Sequence, residues 1–376
     1  MARNMHKAVA TIGLKAPLGI INVPTVAPVA DEVRVRVEWT ASTPLDLHQN
    51  DGGLIVTYPQ VLGDGSAGTV VEVGPAVKKL KVGDKVFGFT WRSQQEKAHQ
   101  YYNTAPEYLF GIVPPGFTLQ QAVTLPNNFV TVFHAVTADL GVCLPWPKPA
   151  DQCPPDPRVA FLIWGGGSSV GQYAIQILRY YGYTNILTTA SKKHHAKLRL
   201  MGAKWTFDYN DPHVVSSILN TGSSQIVTAS KHGIPKILDC IGSLEGSLRP
   251  LAKIAKSGAT VAVLLPAIII DSGENIEPEY AMDVENLVEW DKGVGVRGVR
   301  THFYLENEFF KEKLQSEIMP DFLSRGIVKP NEQRVVEGKT LLERAQKALD
   351  ALRRKEVSGE RLVWRVWDES AEEAHL

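Results

Sequence analysis

Residues 158–183 read RVAFLIWGGGSSVGQYAIQILRYYGY. An apolar run from Val159 to Trp164 stops at Gly165-Gly166-Gly167, and past Ser168-Ser169-Val170-Gly171 apolar residues return at helical spacing, at Ala174, Ile177 and Leu178. The pattern predicts a strand, a tight turn and a helix. Such a turn aims backbone N–H groups at a pyrophosphate, because glycines remove the Cβ atoms that block close approach and the helix dipole favours an anion. The strict G-x-G-x-x-G is not met, since Gly166, Ser168 and Gly171 hold its three positions. A glycine-rich turn of this kind also occurs in α/β proteins that bind no nucleotide.

A second strand–helix unit follows. Ile186 to Ala190 predicts a strand and Lys193 to Met201 a helix closed by Gly202. Where NAD-binding folds carry an acid for the ribose hydroxyls, this chain has Ala190 and Ser191, followed by Lys192-Lys193. An acid repels a 2′-phosphate, whereas a hydroxyl and flanking cations accept one. NADPH is therefore the expected cofactor, although lysines here also suit a solvated helix start.

The rest of the composition narrows the class. A chain of 376 residues suits two domains, and 40 Lys+Arg against 40 Asp+Glu gives no net charge to favour nucleic acid or an anionic membrane. Cys143, Cys153 and Cys240 are too few for a disulfide framework or a zinc cage. No apolar run approaches the roughly 20 residues of a membrane span, and residues 1–13 have no signal-peptide core, so a cytoplasmic protein is expected. The apolar stretch 259–270 reads as a buried parallel strand with its continuation.

Residues 1–125 have another texture. Lys7 to Ile12, Glu32 to Thr40, Gly68 to Val73 and Lys85 to Thr90 alternate or are β-branched, with Gly or Pro between them, which predicts a β-rich, barrel-like domain. The Pro-rich insert 144–157 predicts a surface loop, 312–325 and 341–355 predict amphipathic helices, and the acidic tail 368–376 is expected to fray.

Two further segments carry a resemblance. Leu62-Gly63 through Gly68-Thr69-Val70 to Val73-Gly74, followed by Val82-Gly83-Asp84-Lys85-Val86, resembles the medium-chain dehydrogenase/reductase superfamily. That resemblance implies an α/β protein: a GroES-like β-rich domain from residues 1–125 and 301–376, and a Rossmann domain with a doubly wound parallel sheet from 126–300. Zinc-holding alcohol dehydrogenases of the superfamily have Cys and His where Thr43 and Asp64 stand, and Asn127-Asn128 occupy the region of the third ligand. Thr43 offers no thiolate, so no metal is expected.

Among zinc-free branches the chain is similar to fungal enoyl reductases that act in trans on polyketide synthases. The segments concerned are Thr43-Pro44-Leu45-Asp46-Leu47-His48, Gly166 to Gly171, Ser191, Phe207-Asp208-Tyr209, Leu238-Asp239-Cys240-Ile241, and Val357-Ser358-Gly359-Glu360-Arg361-Leu362-Val363. Position by position, the resemblance implies that Gly166, Gly167, Ser168, Ser169, Val170 and Gly171 wrap the pyrophosphate. Ser191, Lys192, Arg199 and Tyr209 surround the 2′-phosphate, and Thr131, Ile241, Leu264 and Leu265 line the nicotinamide. Val357 and Ser358 close the cleft.

His48 stands where these relatives have Lys and Thr43 where they have Asn. With a reference pKa near 6.5, His48 is the candidate proton donor, or else a partner of the cofactor ribose. Asp46 falls in the same cofactor-side motif and also reads as a structural partner in its own turn. Cys240 reads as an inert strand cysteine. The implied activity is NADPH-dependent, zinc-independent reduction of a C=C bond conjugated to a carbonyl in fungal secondary metabolism, on a free or carrier-tethered substrate, with a polyketide synthase as partner. A quinone or carbonyl reductase and a non-catalytic NADPH-binding protein are the alternatives.

Overall fold

The computed structural model describes residues 4–150, 156, 158–224 and 233–368. The chain divides into two compact units, one of Met1–Val130, Ser272–Pro278 and Leu305–Leu376, the other of Thr131–Asp271 and Glu279–Tyr304. Part of the Pro-rich insert and the tail beyond residue 368 lie outside the described residues.

The first unit begins with β1 (Met5–Thr11), β2 (Gly19–Pro24) and β3 (Glu32–Ala41), then a helix at Pro44–Gly52. It continues through β4 (Gln60–Val61), β5 (Gly65–Val73), β6 (Lys85–Phe89), β7 (Tyr102–Pro106) and β8 (Phe110–Ile112). β3 shows why these strands form: Val33, Val35 and Val37 are buried while Glu32, Arg34 and Arg36 are half-exposed, so period-two patterning puts one face on the core. A helix at Pro126–His134 leads out of this unit.

The second unit holds β9 (Ala160–Trp164), a helix at Ser169–Tyr180, β10 (Asn185–Thr189), a helix at His195–Met201, and β11 (Trp205–Phe207). β12 (Lys236–Asp239), β13 (Thr260–Leu264), β14 (Ala267–Ile270), β15 (Glu279–Ala281) and β16 (Gly295–Val299) follow. Six of these strands form one sheet in the order β11-β10-β9-β12-β13-β16, every pair parallel. That is the doubly wound 3-2-1-4-5-6 order, and its direction reverses between β9 and β12. All five residues of β9 are buried, as a strand covered on both faces requires. Leu162, Trp164, Ile237, Val261 and Val263 form the core of this sheet.

The chain returns to the first unit through β17 (Glu332–Val335), a helix at Leu341–Arg353 and β18 (Glu360–Arg365). β18 pairs with β3 and completes a sheet of order β17-β18-β3-β5-β6-β8, with β7 also on β3. Val37, Leu47, Leu62, Leu349 and Trp364 join both chain ends in one core.

Three elements differ from the sequence expectation. The apolar stretch 259–270 is broken at Pro266: β13 stops at Leu264 and β14 pairs antiparallel with β15 instead. Proline lacks the N–H that a continuing ladder needs. The helix expected from residue 312 starts at Glu308, because the Asn307 side chain accepts the Phe310 N–H at 3.1 Å and caps it earlier. The short segment 272–278 belongs to the β-rich unit although the chain on both sides of it lies in the other. Asp51 takes the Ser272 hydroxyl, and Lys15 donates to the Gly273 and Ile276 carbonyls at 2.6 and 2.9 Å.

Candidate functional site

The glycine turn sits at the C-terminal ends of β9 and β12, where the Cys240 N–H donates to the Trp164 carbonyl at 2.9 Å. In open parallel sheets this switch point is where ligands bind. A Cβ on Gly166 would lie 2.0 Å from Thr188 Oγ1, and one on Gly171 would lie 2.5 Å from the Gly165 carbonyl oxygen and 2.7 Å from Gly166 Cα. Gly166 is therefore required by the packing of the turn on β10, and Gly171 by the approach of the helix to the turn. A Cβ on Gly167 would meet the His194 ring at 3.4 Å and Ala190 Cβ at 3.8 Å, both ordinary contacts, so nothing in the chain itself demands glycine there. Ser168 Oγ accepts the Gly171 N–H at 3.0 Å and caps the helix that carries Ser169 and Val170 in its first turn.

Ser191 and Tyr209, separated by 18 positions, are brought together by the β10–β11 pairing: their hydroxyl oxygens lie 2.9 Å apart on an exposed surface. Lys192 is exposed beside them, on a short turn in which the His194 N–H donates to the Ser191 carbonyl. Arg199 extends from the next helix and donates to Thr206 Oγ1 at 2.8 Å, one residue before the Phe207-Asp208-Tyr209 segment. His194, beside Gly167, was not singled out from sequence; the K-K-H-H run gave no sign that the turn folds its third residue back onto the glycines.

Beyond β12, buried Asp239 accepts the Ile241 and Gly242 N–H groups at 2.9 and 3.1 Å and the Ser247 hydroxyl at 2.6 Å. Burial raises its carboxyl to about 6, against these three hydrogen bonds. The turn so built leaves Ile241 41% exposed and places it against Gly165, where a Cβ would come within 2.6 Å of the isoleucine side chain. Burial, and then the Asp239 charge, push the Cys240 thiol well above its ordinary pKa, which removes it as a nucleophile. Leu264 ends β13 with its carbonyl against Gly242, whereas Leu265 packs on the sheet core beside Gly298. Thr131, on the Pro126–His134 helix, holds its hydroxyl 3.0 Å from that of Thr301.

In the β-rich unit the Thr43-Pro44 segment opens the Pro44–Gly52 helix, which carries buried Asp46 and His48. Asp46 accepts the Thr43 N–H at 2.8 Å and the Gly63 N–H at 3.1 Å, tying the helix start to the Gly63-Asp64 turn. Asp64 in turn receives the Asn127 side-chain amide at 3.3 Å. Burial raises both carboxyls to about 6, with Asp46 adding to the effect on Asp64, while Lys97 and Arg361 act on both in the opposite sense. His99, beneath Gly63, is lowered to about 3 by burial and then by Lys97; neither ring nitrogen has a partner among the described residues, and its ring packs 4.6 Å from that of Trp364. Sequence reading passed over Lys97, and it named Asn127 and Arg361 only within their segments, with no contact to Asp64 foreseen. Val357 packs on the core of this unit and Ser358 is exposed, both just before β18.

Residues 29–135 match the alcohol dehydrogenase GroES-like domain. The trans-enoyl reductase tndF of Aspergillus flavipes is 31% identical, the match covering 68% of this chain and 72% of that protein. The enoyl reductase component lovC of the lovastatin nonaketide synthase of Aspergillus terreus is 29% identical over 89% of both. The solved quinone oxidoreductase of Pseudomonas syringae superposes with a TM-score of 0.71 at 21% identity, covering 96% of this chain and all of that one, and shares its fold. With the GroES-like domain, the doubly wound sheet and these relatives in hand, the chain belongs to the trans-enoyl reductase family of the medium-chain dehydrogenase/reductase superfamily of nicotinamide-dependent oxidoreductases.

Proposed function

We propose that the protein is an NADPH-dependent, zinc-independent enoyl reductase that saturates a C=C bond conjugated to a carbonyl, its substrate tethered as a thioester to the carrier of a polyketide synthase. Kinship with trans-enoyl reductases over most of the chain carries this reading. Bound NADPH supplies the hydride for the β-carbon. Around it the chain's residues position and protonate.

The residues fit that cofactor. Gly167 has no neighbour that explains a glycine, which leaves room for a pyrophosphate at the helix start. The Ser191–Tyr209 hydroxyl pair with exposed Lys192 stands where an acid would select NADH, and suits a 2′-phosphate. The Thr131 hydroxyl, held by Thr301, and the exposed Ile241 at the switch point suit the nicotinamide side. His48 supplies the proton to the α-carbon or its enolate oxygen. Zinc does not fit the donor set: Thr43 offers no thiolate, and the Asp64 carboxylate is taken by the Asn127 amide. Among the described residues no group of three or more metal-binding side chains occurs.

The test is cofactor consumption by the purified protein with enoyl thioesters, free enones and quinones, using NADPH and NADH in parallel. Reduction of enoyl thioesters with NADPH preferred is the expected result. Turnover of quinones alone, or no turnover with tight NADPH binding, moves the protein to a different activity class. Stoichiometric zinc in chelator-free preparations overturns the metal-free part.

A further inference from the structure

We propose that Asp239 is a positioning residue for the nicotinamide side of the cofactor site: its buried carboxylate fixes the two loops that leave β12 and β13 at the switch point, and with them the exposed side chain of Ile241. Its catalytic meaning rests on the reductase reading above, while the bonds themselves are features of the fold.

β12 ends at Asp239, and the chain turns away from the sheet at once. Asp239 Oδ1 accepts the Ile241 and Gly242 N–H groups at 2.9 and 3.1 Å, and Oδ2 accepts the Ser247 hydroxyl at 2.6 Å. One oxygen thus holds the turn, and the other holds the helical stretch Leu244–Leu248 that follows it. Ser247 Oγ also accepts the Ser243 N–H at 2.9 Å, and Trp164 Nε1, on β9, donates to the Gly246 carbonyl at 3.0 Å. The stretch is therefore pinned to the sheet from both sides.

The turn carries the next loop with it. Gly242 has a φ of 63°, and a Cβ there would lie 2.6 Å from the Leu264 carbonyl oxygen, so only glycine permits the approach. The Gly242 carbonyl accepts the Ile268 N–H at 2.6 Å. By placing Gly242, Asp239 also sets the path of the chain past the end of β13, through Leu264 and Leu265 to β14.

A buried carboxylate is costly unless it is fully bonded, and a strand end can be closed with backbone alone. What this one produces is an isoleucine left 41% exposed where ligands of open parallel sheets bind. An aliphatic side chain there offers an apolar surface to the flat nicotinamide ring. Asp239 and Ser247 are both fully buried, so they act on a ligand only through Ile241 and its loop.

The test compares Asp239→Ala with Asp239→Asn. Asparagine keeps Oδ1 for the two N–H groups and can donate to Ser247 Oγ, whose proton then goes to the Ser243 carbonyl, 3.0 Å away; alanine keeps none of these bonds. In Asp239→Ala, NADPH should bind about tenfold more weakly. The same nucleotide without its nicotinamide, 2′-phospho-ADP-ribose, should bind as it does to the wild type. Hydride transfer in a single turnover at saturating NADPH should slow by about 100-fold, the scale of a displaced reacting group, with KM for an enoyl thioester little changed. Asp239→Asn should bring each quantity back to within about threefold of the wild type. Equal weakening of both nucleotides would make Asp239 a support of the fold alone and overturn the proposal, as would an asparagine variant no better than the alanine one, or an alanine variant like the wild type. The nucleotide titrations need no turnover: a wild type that reduces no enoyl thioester removes the enoyl reductase reading and leaves this one to be decided by binding, whereas a wild type that binds neither nucleotide overturns both. Should Asp239→Ala not fold, Ser247→Ala replaces it, with the same split between the two nucleotides at about threefold.

Discussion

The glycine turn of the parallel sheet and the buried carboxylates of the β-rich unit are built in opposite ways. The turn is made of backbone: Gly166 and Gly171 leave no room for side chains, and the helix start has N–H groups that every residue owns. The cluster works through side-chain carboxylates: Asp46 gathers the Thr43 and Gly63 N–H groups and Asp64 the Asn127 amide, and burial raises both acids to about 6. A backbone device needs small residues at fixed spacing and costs little stability. A buried charge device needs partners from distant strands, and each member is disfavoured by its surroundings.

The substitution with the largest expected effect is on the side-chain half of the molecule. His48→Gln should lower kcat by about 10²- to 10⁴-fold, the usual contribution of a positioned acid, with NADPH affinity nearly intact. Single-turnover rates beside a cofactor titration would show it, and an unchanged kcat would return His48 to a ribose-binding or packing role. On the backbone half, Gly171→Val should weaken NADPH binding and cost about 1–3 kcal/mol of stability through overpacking against Gly165. Calorimetric titration and thermal melting together read both effects; loss of neither would mean that the helix can retreat from the turn.

A smaller change is expected from Ser191→Asp, which puts an acid beside Tyr209 and Lys192. NADPH affinity should fall by about tenfold relative to NADH, an energy of ~1.4 kcal/mol. The ratio of the two dissociation constants decides it. An unaltered ratio would take Ser191 and Tyr209 out of the phosphate site.

The smallest effect is one of stability, and its sign separates two kinds of buried carboxylate. Asp64 has a folded pKa of about 6 against an ordinary value of 3.8, so the folded chain binds the extra proton and stability declines as pH rises from about 4 through 6. Asp64→Asn should therefore stabilise the protein at pH 8, by on the order of 1–2 kcal/mol, given its coupling to Asp46. Asp51 is the opposite case: burial works to raise it, but hydrogen bonds from Arg353, Ser272 and Asn50 outweigh burial and hold its pKa below 3.8. Its contribution is present above pH 3.8 and is lost as the pH falls through the lowered value. Melting curves from pH 4 to 8 should flatten in Asp64→Asn and lose height across the neutral range in Asp51→Asn.

The β9–glycine turn–helix unit was legible in the chain because strand, glycine turn and helix are contiguous and each follows from local periodicity. Ser191 could be assigned from the absence of an acid at one strand end. What could not be read was contact between distant segments. Nothing in K-K-H-H said that His194 would reach Gly167, and nothing marked Gly63 as the donor to Asp46, 17 positions before it.

Periodicity, turn residues and motif spacing thus determined the β-rich and doubly wound halves and the glycine turn between strand and helix, and they supplied the expectation of NADPH, since these depend on neighbours within about a dozen residues. The break of the apolar stretch at Pro266, the hold of Asp51 and Lys15 on segment 272–278, and the balance of Asp46, Asp64, Lys97 and Arg361 were decided only by the tertiary structure. Burial and Coulomb energy depend on distance in space, and distance in space appears only when the chain has folded.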